Sequence, residues 1–355
     1  MRYKLLGNSG LRVSELCLGT MTFGEDWGWG SDKEESRAVF QAFAEAGGNF
    51  LDTANLYTNG TSETLVGEFV KGDREKWVIA TKYSLNTRTG DVNACGNHRK
   101  NLFQAVEASL KRLGTDYIDL LWLHLWDSLT PIEEVMRAFD DLVRMGKVLY
   151  IGISDSPAWI VSQANTLATL RGWTPFIGLQ IEYSLKERTP ERELLPMAKA
   201  LNIGVTAWSP LGGGVLTGKY NQPNPVDGRL SMTDQPFQIF DRDLKIAETV
   251  LEIAREIGKS PAQVGLNWLR NRPNSVIPII GARRLSQLQD NLACVDFNLT
   301  REQLQRLDNI SAISLGFPHE LLASQFVCDI LLGGVAAQLD DDGSFCLWNP
   351  ETQGE

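Results

Sequence analysis

Four residues of complementary chemistry stand where short apolar runs end: Asp52 after Asn-Phe-Leu, Tyr57 five residues later, Lys82 closing WVIATK and His124 closing YIDLLWLH. A phenol with a pKa of about 10 is a poor acid–base group at neutral pH. A neighbouring ammonium is expected to stabilise the phenolate and lower that value, with a carboxylate orienting the ammonium. An imidazole beside them can hydrogen-bond a carbonyl oxygen and set it for attack. Such a set suits carbonyl reduction, with the tyrosine as proton donor. No side chain supplies a hydride, so a nicotinamide cofactor has to.

Each residue has a plainer explanation as well. An Asp–Lys pair inside a barrel can be a structural salt bridge, a single buried histidine is more often core than catalyst, and Tyr57 alone says almost nothing. Burying either charge alone costs several kcal/mol, so Asp52 and Lys82 at the ends of apolar runs are expected to pair. The coincidence of all four at three successive run ends favours chemistry.

The runs that position them recur along the chain: 15–20, 49–53, 77–82, 117–124, 148–154, 176–183, 203–209 and 275–280. Their near-continuous hydrophobicity predicts strands buried on both faces, as in a parallel sheet covered by helices. Helical spacing fills the intervals over 36–47, 62–72, 99–114, 131–146, 157–171, 190–202, 241–257, 260–272, 285–294 and 300–311, several closing on glycine. Eight strand–helix units predict an α/β fold, a closed (β/α)8 TIM barrel whose chemistry lies at the strand ends. A doubly wound sheet would show a Gly-rich phosphate loop after its first strand, and GTMTFGEDWGWG does not fit that pattern. One domain is expected over residues 1–334. The Gly/Pro-rich loop 210–240, after the seventh strand, is long enough to be functional. Residues 335–355 read as an acidic, mobile C-terminal tail.

The 355 residues carry 34 Lys and Arg against 44 Asp and Glu, a net charge of −10 that disfavours nucleic acid and anionic membranes as partners. The five cysteines are scattered and the three histidines unclustered, which leaves neither a zinc site nor a disulfide framework. With no apolar stretch of signal or spanning length, the expectation is a reduced, cytoplasmic protein that handles a small molecule without a metal.

The segments LGTMTFG (18–24), FLDTANLYTNGTSE (50–63), VIATK (78–82), DYIDLLWLH (116–124), GKVLYIGIS (146–154), LQIEYS (179–184), AWSPLGGGVLTGKY (207–220) and IPIIGARRLSQLQDNL (277–292) together resemble the aldo-keto reductase superfamily. They run in family order to about residue 312, and AISLGFPHELLA (312–323) resembles the end of many bacterial-type members; as a whole the chain is similar to aryl-alcohol dehydrogenase-like and potassium-channel β-subunit-like members. The resemblance implies an N-terminal β-hairpin plugging the barrel, consistent with KLLGNSGLRV (4–13). It places a catalytic tetrad on Asp52, Tyr57, Lys82 and His124, with Tyr57 as general acid, Lys82 and Asp52 tuning it, and His124 orienting the carbonyl. It also implies NADP(H) as cofactor. Gly19, Thr20 and Met21 would lie beside the nicotinamide ribose, Ser154, Asp155 and Gln180 would hold the carboxamide, and Trp208 would stack on the ring. Asp155 departs from the family's asparagine, and a carboxylate can only accept from the amide. Backbone N–H groups of Ser209, Pro210, Leu211, Gly212 and Gly213 would meet the pyrophosphate, proline itself having none. Lys219 and Arg229 match phosphate contacts, and Gly281, Ala282, Arg283, Gln287, Asp290 and Asn291 match the adenosine end. The basic cluster of Lys219, Arg229, Arg283 and Arg284 favours NADP over NAD.

Phe23, Trp27, Trp29, Tyr83, Trp126 and Phe237 suggest a substrate pocket for aryl or medium aliphatic aldehydes. His98, Arg99 and Lys100 read first as residues of a helix start. The expectation is an NADPH-dependent reductase of aldehydes or ketones, monomeric or weakly self-associating. The alternative is a regulatory subunit that binds NADP(H), senses redox state and turns over little, similar to the barrel subunits of potassium channels. Intact Tyr57 and His124 argue against it.

Overall fold

The computed structural model describes residues 1–222, 238–273, 276–335 and 338. An antiparallel hairpin, β1 (Tyr3–Leu5) and β2 (Arg12–Ser14), precedes eight parallel strands: β3 (Cys17–Gly19), β4 (Phe50–Asp52), β5 (Val78–Tyr83), β6 (Ile118–Leu123), β7 (Val148–Ser154), β8 (Phe176–Glu182), β9 (Gly204–Trp208) and β10 (Ile277–Gly281). They pair in chain order, and β10 closes on β3, giving the expected (β/α)8 barrel. Each of the eight predicted runs forms a barrel strand.

The helices are α1 (Lys33–Glu45), α2 (Thr61–Val70), α3 (Arg99–Leu113), α4 (Ile132–Arg144), α5 (Ala158–Arg171), α6 (Leu194–Ala200), α7 (Asp241–Ile257), α8 (Pro261–Arg270), α9 (Leu285–Leu292) and α10 (Arg301–Ser311). Their ends follow local chemistry. Asp32, Ser260 and Thr300 accept from the third residue's N–H of α1, α8 and α10, and Gly114, Gly172 and Gly258 end α3, α5 and α7 in left-handed conformation. His98, too, is a cap, its Nδ1 accepting from Asn101 N–H at the start of α3. Two short helices, α11 (His319–Leu322) and α12 (Gln325–Leu331), follow the last repeat. The predicted acidic tail lies, apart from Val335 and Gln338, outside the described residues.

Side chains alternate between two layers. Leu18, Leu51, Ile79, Leu121, Ile153, Leu179 and Val205 join the helices in the outer core. Cys17, Phe50, Ala80, Leu120, Trp122 and Ile279 fill the barrel itself. Trp122 is fully buried, and the barrel makes room for it with glycine: a Cβ on Gly152 or Gly178 would lie 2.3 or 2.7 Å from its ring. The hairpin seals the opposite end with Leu6 and Val13. Its turn passes so close to β8 and β9 that a Cβ on Gly7 would sit 2.2 Å from the Ile177 carbonyl oxygen.

Candidate active site

The same alternation delivers the polar set. Asp52 stands two residues beyond Phe50 and Lys82 two beyond Ala80, so both point into the barrel at its C-terminal mouth. Lys82 Nζ pairs with Asp52 Oδ2 and donates to the Thr53 carbonyl oxygen at 2.9 Å and the Tyr57 hydroxyl at 3.0 Å. Gln180 Nε2, on β8, donates to Asp52 Oδ1 at 2.9 Å. The His124 ring stands edge-to-face with Tyr57, centroids 5.9 Å apart at 83°. The four residues singled out in the sequence are therefore one cluster, with Gln180 as a fifth member.

Tyr57 is displayed by a turn in which Thr58, Asn59 and Gly60 all have left-handed backbone, φ 46, 55 and 96°. For a β-branched residue that conformation is strained. Thr58 is held there by two bonds of its hydroxyl, which donates to the Phe23 carbonyl at 2.7 Å and accepts from Ser62 N–H at 3.0 Å. Asn59 Oδ1 accepts from Trp27 Nε1 at 3.4 Å. In the sequence, the Asn59-Gly60 pair is the signal for this turn.

Burial works against the Lys82 ammonium, but Asp52 and Tyr57 outweigh it and hold its pKa above the ordinary lysine value. Tyr57 differs from expectation: burial pushes its hydroxyl pKa up, Lys82 pulls it down, and burial wins. The phenol is kept protonated rather than poised as phenolate. His124 is driven well below the usual histidine range by burial and by the Lys82 charge, so its imidazole is neutral at neutral pH. Among the described residues its Nδ1 is buried without a partner.

Around this cluster lie the residues expected to hold the cofactor. Gly19 is paired with Gly281 on neighbouring strands, and Gly281 is open. Thr20 is fully buried, its hydroxyl donating to the Asp52 carbonyl at 3.1 Å, while Met21 is half-buried. Ser154 and Gln180 lie side by side on β7 and β8. Trp208, half-buried over the inner core, donates from Nε1 to Asp155 Oδ1 at 3.0 Å. Burial raises the Asp155 carboxyl to about 6 against that bond and the pull of Lys82.

Beyond β9 the chain turns through Ser209 and Gly212–Gly214, all left-handed, with Pro210 and Leu211 between. Gly212 N–H donates to the Ser209 carbonyl at 2.8 Å and Gly213 N–H to the Ser209 hydroxyl at 3.0 Å. Those two amides bond within the turn. Lys219 comes near Arg283: burial, then the Arg283 charge, lowers the lysine pKa. Gln287 Oε1 accepts from Arg283 N–H at 2.9 Å. Asn291 is buried at 3.5 Å from the Gly281 carbonyl. Asp290 instead ties α9 to α8, accepting from Ser260 Oγ and Gln263 Nε2 at 2.8 and 2.7 Å. Arg229 lies outside the described residues.

The aromatic candidates divide. Trp27 stands edge-to-face with Tyr57 at 6.4 Å and packs on Trp29 at 5.8 Å. Phe23 and Tyr83 do not face the mouth: both are fully buried in the outer core, Phe23 against Phe69 and Tyr83 against Phe139. Tyr83 follows the inward Lys82 by one residue, so alternation turns it out. Trp126 is half-buried against the same outer core. Phe237 lies outside the described residues. Among the described residues no helix is long and apolar enough to cross a membrane, and no group of three or more His, Cys, Asp or Glu could hold a metal.

Comparison with known proteins agrees with this architecture. The putative aryl-alcohol dehydrogenase AAD14 of Saccharomyces cerevisiae is 38% identical over 329 residues, covering 88% of this chain and 87% of that protein. The aryl-alcohol dehydrogenase (NADP(+)) of Phanerodontia chrysosporium is 36% identical over 337 residues, 90% of this chain and 88% of its own. The norsolorinic acid reductase stcV of Emericella nidulans is 38% identical over 324 residues, 88% of this chain and 82% of its own. Residues 15–312 match the Aldo/keto reductase family, and the chain belongs to that family of oxidoreductases acting on small carbonyl compounds.

Proposed function

We propose that this protein reduces aldehydes or ketones to alcohols with NADPH. The observation that carries the reading is the Tyr57 hydroxyl, kept protonated at the barrel mouth, 3.0 Å from the Lys82 ammonium and beside a neutral imidazole. When bound, the nicotinamide supplies the hydride to the carbonyl carbon. Tyr57 gives its proton to the carbonyl oxygen, and the phenolate left behind is stabilised by Lys82, which Asp52 holds in place. The neutral His124 retains one N–H donor, which orients the carbonyl oxygen.

The residues present fit NADP(H). Trp208 offers a half-buried face over the inner core, Ser154 and Gln180 are paired on the neighbouring strands β7 and β8, and the Ser154 hydroxyl is buried with no partner among the described residues. The left-handed glycines after β9 let an extended ligand approach, and Lys219 and Arg283 gather positive charge in an acidic protein. Trp27 beside Tyr57, with Trp29 packed on it, gives the entrance an aromatic wall suited to aryl carbonyls, in keeping with relatives named for aryl alcohols. Cys17, Cys95 and Cys294 stand as thiols, in keeping with a reducing, cytoplasmic setting.

The test is NADPH oxidation with a panel of aldehydes and ketones that includes 4-nitrobenzaldehyde. Tyr57→Phe is expected to lower kcat by about 100-fold or more while NADPH affinity is kept, because only the acid is removed. Near-normal kcat in that variant overturns the assigned role. NADPH binding without turnover of any carbonyl moves the protein to the regulatory reading.

A further inference from the structure

Asp155 is an ionisable group at the barrel mouth that the mechanism does not use. It sits just beyond β7 with left-handed backbone, φ 40°, and its carboxyl is turned onto the indole N–H of Trp208. Among the described residues it forms no ion pair, whereas the neighbouring Asp52 is matched by Lys82. A flat ring stacked on the half-buried Trp208 face would therefore have this carboxylate at its edge, on the order of 5 Å away.

We propose that Asp155 sets a charge preference at the nicotinamide, favouring the oxidised, cationic ring over the reduced, neutral one. This rests on the cofactor reading above, in which Trp208 offers the face on which the nicotinamide ring would stack. An anion at a poorly solvated edge attracts a cationic ring strongly and a neutral ring hardly at all, so the effect is a difference between two otherwise matched ligands. An asparagine here could hold the same amide without making that distinction.

Among the described residues, Lys82 on β5 is the charge that acts on the Asp155 carboxyl, and it is already balanced by Asp52 on β4; Tyr57, which feels the Asp155 charge, stays protonated, and His124 in the same cluster is neutral. Burial leaves the Asp155 carboxyl at about 6, so the group is ionised at pH 8 and largely protonated at pH 5. Proton binding and binding of the oxidised cofactor then oppose one another.

The experiment titrates the full-length protein separately with NADP+ and NADPH, following quenching of tryptophan fluorescence, and reads the ratio of the two Kd values. At pH 8, Asp155→Asn is expected to raise Kd(NADP+)/Kd(NADPH) at least about fivefold, chiefly by weakening NADP+. In the wild type the ratio is expected to rise between pH 8 and pH 5. The 2′-phosphate titrates near 6 but is common to both ligands and cancels in the ratio. A ratio unmoved by both the substitution and the pH change overturns the proposal while leaving cofactor binding intact. A wild type that binds neither ligand overturns the cofactor reading itself.

Discussion

Gln180 Nε2 donates to one carboxylate oxygen of Asp52 at 2.9 Å, while Lys82 engages the other. A buried carboxylate fixed at both oxygens cannot rotate, so the direction of the Lys82 ammonium toward Tyr57 is set from β8 as well as from β5. Gln180 is thereby tied to the Asp52–Lys82–Tyr57 cluster, beside the cofactor contact proposed for it. Gln180→Leu is expected to leave Asp52 Oδ1 unsatisfied, at a cost of about 1–3 kcal/mol. Urea unfolding measures that loss, and steady-state kinetics should show a fall in kcat. Unchanged stability together with unchanged kcat refutes the coupling.

Lys82 and Asp52 separate charge balance from chemistry. Lys82→Met strands a buried carboxylate and is expected to cost about 3–5 kcal/mol of stability. It should also lower kcat by about 100-fold or more, since the phenolate loses its counter-charge. Adding Asp52→Asn removes the stranded charge, so the double variant should regain most of the stability and none of the turnover. A double-mutant cycle read by both unfolding and kcat tests this. Recovery of turnover in the double variant would show that Lys82 serves the fold alone.

The barrel and its polar cluster were legible because period-two alternation carries an apolar strand and one charged residue at its end with no ambiguity of face. The same rule, applied to the residue after Lys82, turns Tyr83 outward and withdraws it from the substrate pocket. Other features depended on distance rather than order. The left-handed Thr58–Gly60 turn needs the Phe23 carbonyl, 35 residues earlier, to hold it. The Gly212 and Gly213 amides are committed to Ser209, which residue spacing does not reveal. The raised Tyr57 pKa reflects burial, and a sequence that shows the nearby lysine says nothing of the water excluded around the phenol.

His124 makes acid stability a readout of its protonation. Its folded pKa lies well below the unfolded value of about 6.5, so the unfolded chain binds the extra proton first. The stability it contributes is complete above about 6.5 and is lost as pH falls from there toward the folded pKa. Asp155, raised to about 6, acts with the opposite sign as pH rises from about 4 to 6. His124→Gln isolates the histidine: its melting temperature should fall less than that of the wild type between pH 7 and pH 5. Parallel curves for the two proteins would mean that His124 is not held neutral.

Lys219 and Arg283 approach one another closely enough that the arginine charge helps to depress the lysine pKa, an arrangement that an anion between or beside them relieves. NADPH differs from NADH only by a 2′-phosphate, and Arg283 belongs to the strand end expected to meet the adenosine ribose. A charge-assisted contact of that kind is worth about 1.5–3 kcal/mol, or roughly 10- to 100-fold in affinity. Arg283→Ala is therefore expected to weaken NADPH by that factor and NADH by no more than about twofold. Raising the salt concentration should likewise narrow the gap between the two cofactors in the wild type and leave it little changed in the variant. Fluorescence titration of both proteins with both cofactors decides the matter. Equal losses for NADPH and NADH would place the Arg283 guanidinium away from the 2′-phosphate.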